Sequence, residues 1–295
     1  MNAASDMEQV AQGFSFLECP RWYGGRLFAS DLYTHRVLAF GEDGTARTIC
    51  ELEDQPAGLG FAPDGSLMIV SMQRRKVLRW SDGELSEIAD LREVTGFHCN
   101  DMVVDSMGRA YVGNMGWDVY REAQIRGADL VLVRPDGTPI VVASDLVFPN
   151  GMALAPDGST LFVAETFASR ITAFDVCHDG TLRNRRVWAA FTDRSFDTIA
   201  ACLQAGVVLP DGIALDAEGA LWVADAGRRG PIRVAEGGRI LERVDTGEST
   251  VYAVALGGAD RRTLYMCAGP PLLTIDPRTV HRASLLACRV RTPGI

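Results

Sequence analysis

One pattern recurs six times along this chain, and it restricts the fold more than any other property of the sequence. A polar or small residue opens a short apolar run, a glycine turn follows, and a second apolar run closes the unit. The clearest copies are Asn150-Gly-Met-Ala-Leu-Ala-Pro-Asp-Gly-Ser-Thr-Leu-Phe-Val-Ala-Glu165 and Asp211-Gly-Ile-Ala-Leu-Asp-Ala-Glu-Gly-Ala-Leu-Trp-Val-Ala-Asp225. Looser copies begin at Glu18, Ala57, Asn100 and Tyr252, so successive starts are separated by 39, 43, 50, 61 and 41 residues. Each copy reads as a β-hairpin, with Pro-Asp-Gly or Glu-Gly as turn chemistry. Further short strands are expected at Arg36–Phe40, Val77–Trp80, Leu130–Val133, Ile171–Phe174 and Ile232–Val234.

Repeats of this length holding about four strands indicate a β-propeller. The reading is all-β: a six-bladed β-propeller with four-stranded antiparallel blades, residues 1–295 forming one domain. A β-sandwich with chance similarity leaves the constant register of the copies unexplained. Glycine, 30 of 295 residues, exceeds the usual ~7%, as repeated hairpin turns require.

Two segments break the rhythm. Residues 114–129 form a long connection rich in Gly, Trp and charge, and residues 183–210 stretch the fourth spacing. Within the latter, Phe196, Ile199, Ala200 and Leu203 fall at helical spacing between Ser195 and Gly206, which predicts a short capped helix. Insertions in repeat folds collect on the functional face; a surface excursion without a role is the alternative.

In a propeller, equivalent repeat positions form rings around one channel. The first ring reads Glu18, Ala57, Asn100, Asn150, Asp211 and Tyr252. A second, at the ends of the returning strands, reads Asp31, Ser71, Asn114, Glu165, Asp225 and Ala268. Acids crowded around a channel repel unless a cation, protons or hydrogen bonds compensate. Oxygen donors without His or Cys suit a hard divalent ion; a hydrogen-bonded polar channel holding water is the alternative. Of the four histidines only His98, two residues before Asn100, is placed to face the same mouth.

Glu18-Cys-Pro-Arg-Trp22, Asn100-Asp101, Asn150-Gly151 and Pro210-Asp-Gly212, in order and in one register, resemble the senescence-marker-protein / gluconolactonase / luciferin-regenerating-enzyme family, over about Glu18 to Ala268. The resemblance implies a six-bladed propeller and metal-dependent opening of a lactone or related ester. It implies Glu18, Asn150 and Asp211 as ligands of one divalent cation, Ca2+ first and Mg2+, Mn2+ or Zn2+ as alternatives. Asn100 matches the position beside the metal that contacts substrate, and Asp211 is assigned as general base. Two departures stand out: His98 replaces the Arg common in sugar lactonases, and the family's Asn-Asp-Gly-Lys becomes Asn100-Asp-Met-Val103. With Phe97, His98, Met115, Trp117, Phe148 and Phe167 expected at the mouth, a less polar lactone or ester is as well supported as a polyhydroxylated one. His98, Trp117, Phe148 and Phe167 are the substrate-binding candidates alongside Asn100. Asn114, Glu165 and Asp225 are expected as supporting or mouth residues.

Rival readings are a phosphotriester hydrolase using the same ion and a non-catalytic ligand-binding propeller. A net charge of −9 argues against nucleic acid as partner. No apolar run reaches the ~20 residues of a membrane span, and residues 1–12 lack a signal-peptide pattern. Seven scattered cysteines without a CxxC point to a reducing compartment and a cytoplasmic protein. Cys99, on the face opposite Asn100, is read as core. No Gly-x-Ser-x-Gly elbow supports a serine nucleophile.

Overall fold

The computed structural model describes residues 7–41, 43–121, 124–228, 230–271 and 274–295. They form six four-stranded antiparallel sheets. Five blades run in simple up-and-down order from inner to outer strand. The sixth takes its outermost strand, Glu8–Phe14, from the start of the chain, paired against Ala283–Arg289. The inner strands are Leu17–Tyr23, Pro56–Phe61, Cys99–Val104, Pro149–Leu154, Pro210–Leu215 and Thr250–Gly257. Each lies beside the inner strand of the next blade, and the first lies beside the sixth, so the ring closes.

Turn chemistry explains the hairpins. Asp64, Asp105, Asp157 and Asp216 each accept the backbone N–H two residues on, and the glycines 65, 108, 158 and 219 supply φ values between +71° and +85°. Only glycine adopts such angles without a steric cost. The core is laid down between blades. One apolar cluster joins Leu27, Leu38 and Phe40 of blade one to Ala253 and Leu285 of blade six; another joins Tyr111 and Leu130 of blade three to Leu161 and Phe174 of blade four. Burying each such large side chain contributes roughly 1.5–3 kcal/mol. Six of the seven cysteines are buried, and all are free. Cys99 is fully buried in a core cluster, as read from its strand position.

The register repeats from blade to blade. Leu17, Pro56, Cys99, Pro149, Pro210 and Val251 stand opposite Asp31, Ser71, Asn114, Glu165, Asp225 and Ala268. The next residue in each blade is Glu18, Ala57, Asn100, Asn150, Asp211 or Tyr252; a bulge takes in the last five, and in blade one, where Glu18 still pairs Ser30, it begins at Cys19. These are the six positions aligned from the sequence. Bulges re-aim side chains and leave backbone groups free of the ladder.

The helix ends on Gly206 as expected but begins later, with Thr198 rather than Ser195 as its cap. It spans Ile199–Ala205, its N-cap is Thr198, whose hydroxyl accepts Ala201 N–H, and it ends on Gly206 in a left-handed conformation. Phe196 precedes it, Leu203 is exposed, and Cys202 is the residue it buries. The stripe was shifted because the small Cys202 sits against the neighbouring blade, donating its thiol toward the Phe167 carbonyl. Among the described residues no helix is long and apolar enough to cross a membrane.

Candidate metal and substrate site

At the bulges the inner strands come unusually close. A Cβ on Gly151 would lie 2.3 Å from the Asp211 carbonyl oxygen, and one on Gly212 would lie 2.5 Å from the Ala253 Cβ. Glycine is therefore required there, and the residue just before each one, Asn150 or Asp211, is carried to the channel. Cys19 fills the equivalent position in blade one with φ +51°, and its N–H donates to Glu18 Oε2 at 3.0 Å.

Asp211 accepts hydrogen bonds from the Asn150 amide and from Gly212 N–H, and the charges of Glu18 and Asp101 bear on it. Asn150 Nδ2 also donates to Thr166 Oγ1 at 3.2 Å, and that hydroxyl donates to the Pro210 carbonyl at 2.8 Å. Asn150 and Asp211 are 7% and 8% exposed, whereas Glu18 and Asn100 keep partial access to solvent. Burial pushes the Glu18 carboxyl up to about 8, with Asp101 adding to the effect and the Cys19 amide and Arg21 opposing it. Burial, then the charges of Glu18 and Asp101, also hold Asp211 well above the ordinary carboxylate range. Two acids thus face one channel at a cost to their charged forms, which a cation would relieve.

The donors fit such an ion. Two carboxylates and an amide oxygen are hard ligands suited to an octahedral or larger shell. Among the described residues no three His, Cys, Asp or Glu side chains converge as a cage. An ion here would complete its shell with water or substrate, the open arrangement that catalytic sites use.

Above the carboxylates the mouth is aromatic. Phe148 and Phe167 meet edge to face at 5.0 Å, and Trp117 lies 6.4 Å from each. His98 stacks on Phe97 at 4.0 Å, with the exposed Tyr120 at 6.2 Å. Across the mouth, Phe16 contacts Tyr252 at 4.6 Å. Phe16 and Phe167 each pack against two apolar clusters, so the layer is continuous from blade one to blade four. The two insertions meet over this layer: Gln124 bridges Thr198, and Ile125 N–H donates to the Asp197 carbonyl at 2.8 Å.

A family model described as SMP-30/gluconolactonase/LRE-like region matches residues 16–269. The chain belongs to this family. A 6-deoxy-6-sulfogluconolactonase of Pseudomonas putida is 26% identical, over 94% of this chain and 92% of that protein. A pentonolactonase of Haloferax volcanii is 28% identical, over 84% of this chain and 80% of that protein. Among solved structures, a calcium-binding protein, regucalcin, from Agrobacterium tumefaciens superposes with a TM-score of 0.76 at 18% identity, covering 96% of this chain and 92% of that one.

The residues expected from the family pattern separate into three groups. Glu18, Asn150 and Asp211 come together in the channel, with Asn100 at the equivalent bulge of blade three. Of the four substrate-binding candidates beside Asn100, His98 and Phe167 are half-buried, whereas Phe148 and Trp117 are buried, 9% and 3% exposed, and pack against Phe167. The second ring behaves otherwise. Asp31 accepts the N–H groups of Ser15 and Phe16, Glu165 that of Val147 together with both arms of Arg170, and Asp225 that of Leu209. These acids turn away from the channel and tie the segment entering each inner strand to the end of the second strand.

One pair in the channel is invisible to motif reading. Asp101 occupies the position that Gly58, Gly151 and Gly212 fill in other blades, and Arg21 Nη2 reaches it at 2.7 Å while also donating to the Met102 carbonyl. The signal was an acid at an aligned glycine position. Surface grooves lined by Ala62, Pro63, Met107 and Arg134, or by Arg26, Ala39 and Thr45, lie elsewhere and include none of these residues.

Proposed function

We propose that this family member is a divalent-cation-dependent hydrolase that opens a lactone or related ester. The observation that carries the reading is the convergence of Glu18, Asn150 and Asp211 from three bulged inner strands, with both carboxyls destabilised by burial and by neighbouring acids, Asp101 for Glu18 and both Glu18 and Asp101 for Asp211. The lactonase names of its relatives support it, and the calcium-binding description of a structural neighbour supports Ca2+ as the first ion to test.

Glu18, Asn150 and Asp211 would hold the cation. When bound, it supplies Lewis-acid polarisation of the ester carbonyl and acidifies water at neutral pH. Asp211 takes the proton from the attacking water through a carboxylate oxygen and returns it to the leaving alkoxide, which gives the ring-opened hydroxy acid. The Asn150 amide and Gly212 N–H fix that carboxylate's orientation. Asn100, half-buried on the neighbouring bulge, is placed to donate its side-chain N–H to the carbonyl oxygen as charge develops. The aromatic layer excludes bulk water. His98 orients the substrate's body rather than its reacting bond, since burial lowers its pKa and its ring is stacked on Phe97.

The test uses chelated and reconstituted protein on a panel of lactones, aryl esters and phosphotriesters. Hydrolysis of lactones that is lost to chelator and restored by Ca2+, Mg2+, Mn2+ or Zn2+ is expected. Asp211→Ala should lower both turnover and cation affinity, by about 10²–10⁴ in kcat for loss of the base. A variant with undiminished kcat and cation affinity would refute the assignment. Phosphotriester turnover without lactone turnover would favour the phosphoester reading, and cation binding without turnover a binding protein.

A further inference from the structure

The mouth has a chemical character that the relatives' sugar-lactone names do not convey. Half-buried rings from three blades, Phe16, Phe97 and Phe167, line the mouth, backed by the buried rings of Tyr252 and Phe148. Polar groups there are largely engaged. The Tyr252 hydroxyl donates to the Pro270 carbonyl, and Thr166 is committed to Asn150 and Pro210. Among the described residues, Asn100, His98 and, toward the rim, the hydroxyls of Tyr33 and Tyr120 are left for a substrate's oxygens, and His98 is stacked on Phe97 with its Nδ1 buried and unpartnered. A polyhydroxylated ring entering here loses water from more hydroxyls than these few groups can satisfy, at roughly 1–3 kcal/mol for each one left unsatisfied.

The two insertions give this wall its shape. Both leave the blades at the mouth end, one within blade three and one between blades four and five, and they join at Gln124–Thr198 and Ile125–Asp197. The join spans the mouth loops of blade four. Ile125 and Ile199 are turned onto the same apolar cluster as Trp117, Phe148 and Phe167, and Cys202 anchors the helix to the Phe167 carbonyl. The result is a fixed canopy with an apolar underside, held by backbone hydrogen bonds and packing from both insertions.

We propose that this canopy selects a lactone whose body is apolar, an aryl-fused or alkyl-substituted ring, over the lactones of sugar acids. The inference rests on the hydrolase reading above for its reacting bond, and on the aromatic wall for its selectivity. The ring carbonyl is held toward Asn100 and the carboxylate centre, while the apolar body lies against Phe148 and Phe167 beneath the insertion bridge. Tyr120, 67% exposed beside Phe97 and His98, forms the outer rim.

The experiment compares kcat/KM of the cation-reconstituted protein for dihydrocoumarin and for glucono-δ-lactone. It also measures binding of two non-hydrolysable lactams, 3,4-dihydro-2-quinolinone and gluconolactam, by calorimetry. Contacts of this size are worth about 10–200-fold in discrimination, so the aryl lactone should lead by tenfold or more and the aryl lactam should bind tighter. Phe167→Ala and Tyr120→Ser should each raise KM for the aryl lactone more than for the sugar lactone; Tyr120 is exposed, so its replacement leaves the fold intact. Equal or better turnover of the sugar lactone overturns the inference while leaving the hydrolase reading in place. If neither lactone is opened, the lactams decide: preference for the aryl lactam upholds the selectivity and removes the hydrolase reading, and absent or reversed preference overturns the selectivity.

Discussion

Replacing Glu18 by glutamine isolates the electrostatic cost of the channel from its use. In the metal-free protein the Glu18 carboxyl is held at about 8 against an ordinary 4.5. The folded state therefore keeps a proton that the unfolded chain has lost, and stability falls as pH rises from 4.5 through about 8. At about 1.4 kcal/mol per pH unit of difference the ceiling is roughly 5 kcal/mol, and screening by channel water brings it to about 2–3 kcal/mol. Glu18→Gln removes that cost and also relieves Asp211, on which the Glu18 charge bears. In chelator at pH 9 the variant should melt roughly 3–5 °C above the wild type, and below pH 4.5 the two should coincide. A cation at a hundred times its Kd should add about 2.7 kcal/mol to the wild type and far less to the variant. The wild-type gain should grow with pH, because binding displaces a proton. Thermal melts at a series of pH values, with chelator or Ca2+, test all of this. Parallel wild-type and variant curves in chelator, or full cation stabilisation of the variant, would refute the reasoning.

Three further perturbations address the frame around the site. Arg21→Met strands the buried Asp101 carboxylate and should destabilise by about 3–5 kcal/mol, with Asp101→Asn in the same chain restoring much of it in denaturant melts. Gly151→Ala drives a methyl into the Asp211 carbonyl; cation affinity measured by calorimetry should fall sharply, and wild-type affinity in a folded variant would contradict the close approach described. Thr198→Ala removes the helix cap and should cost about 1 kcal/mol, seen as faster hydrogen exchange across residues 199–205 with the blades unaffected.

Much of this architecture is legible in the sequence because a propeller repeats one local solution. The pairing of Leu17, Pro56, Cys99, Pro149, Pro210 and Val251 with their partners follows from hairpin spacing alone, since side-chain direction in a strand has period two. Ring membership therefore survives into the structure. What side chains do after leaving the ring does not. Asp31, Glu165 and Asp225 are acids at the channel end, yet each is drawn aside by backbone N–H groups some sixteen to eighteen positions earlier in the chain, contacts that no local pattern displays. The apolar stripe starts at Phe196 and so favours a helix start a few residues before Thr198, the residue that caps it. The bridge between the insertions joins segments over seventy positions apart, which periodicity cannot reveal. The Arg21–Asp101 pair lies across two blades and needed the ring to be closed before it could be seen.

The strand Glu8–Phe14 completes the sixth blade, and the next strand along the chain begins at Leu17 and carries Glu18. The strand Glu8–Phe14 therefore finds its partner, Ala283–Arg289, only when all six blades are present. That is the longest-range pairing in the molecule and the slowest kind to form. Until it forms, blades one and six are joined, among the described residues, only by packing, chiefly of their inner strands, Leu17–Tyr23 against Thr250–Gly257. On the proposed reading, an ion held by both carboxylates would act as a clasp on a hoop. The grip of that clasp would report whether the hoop is shut.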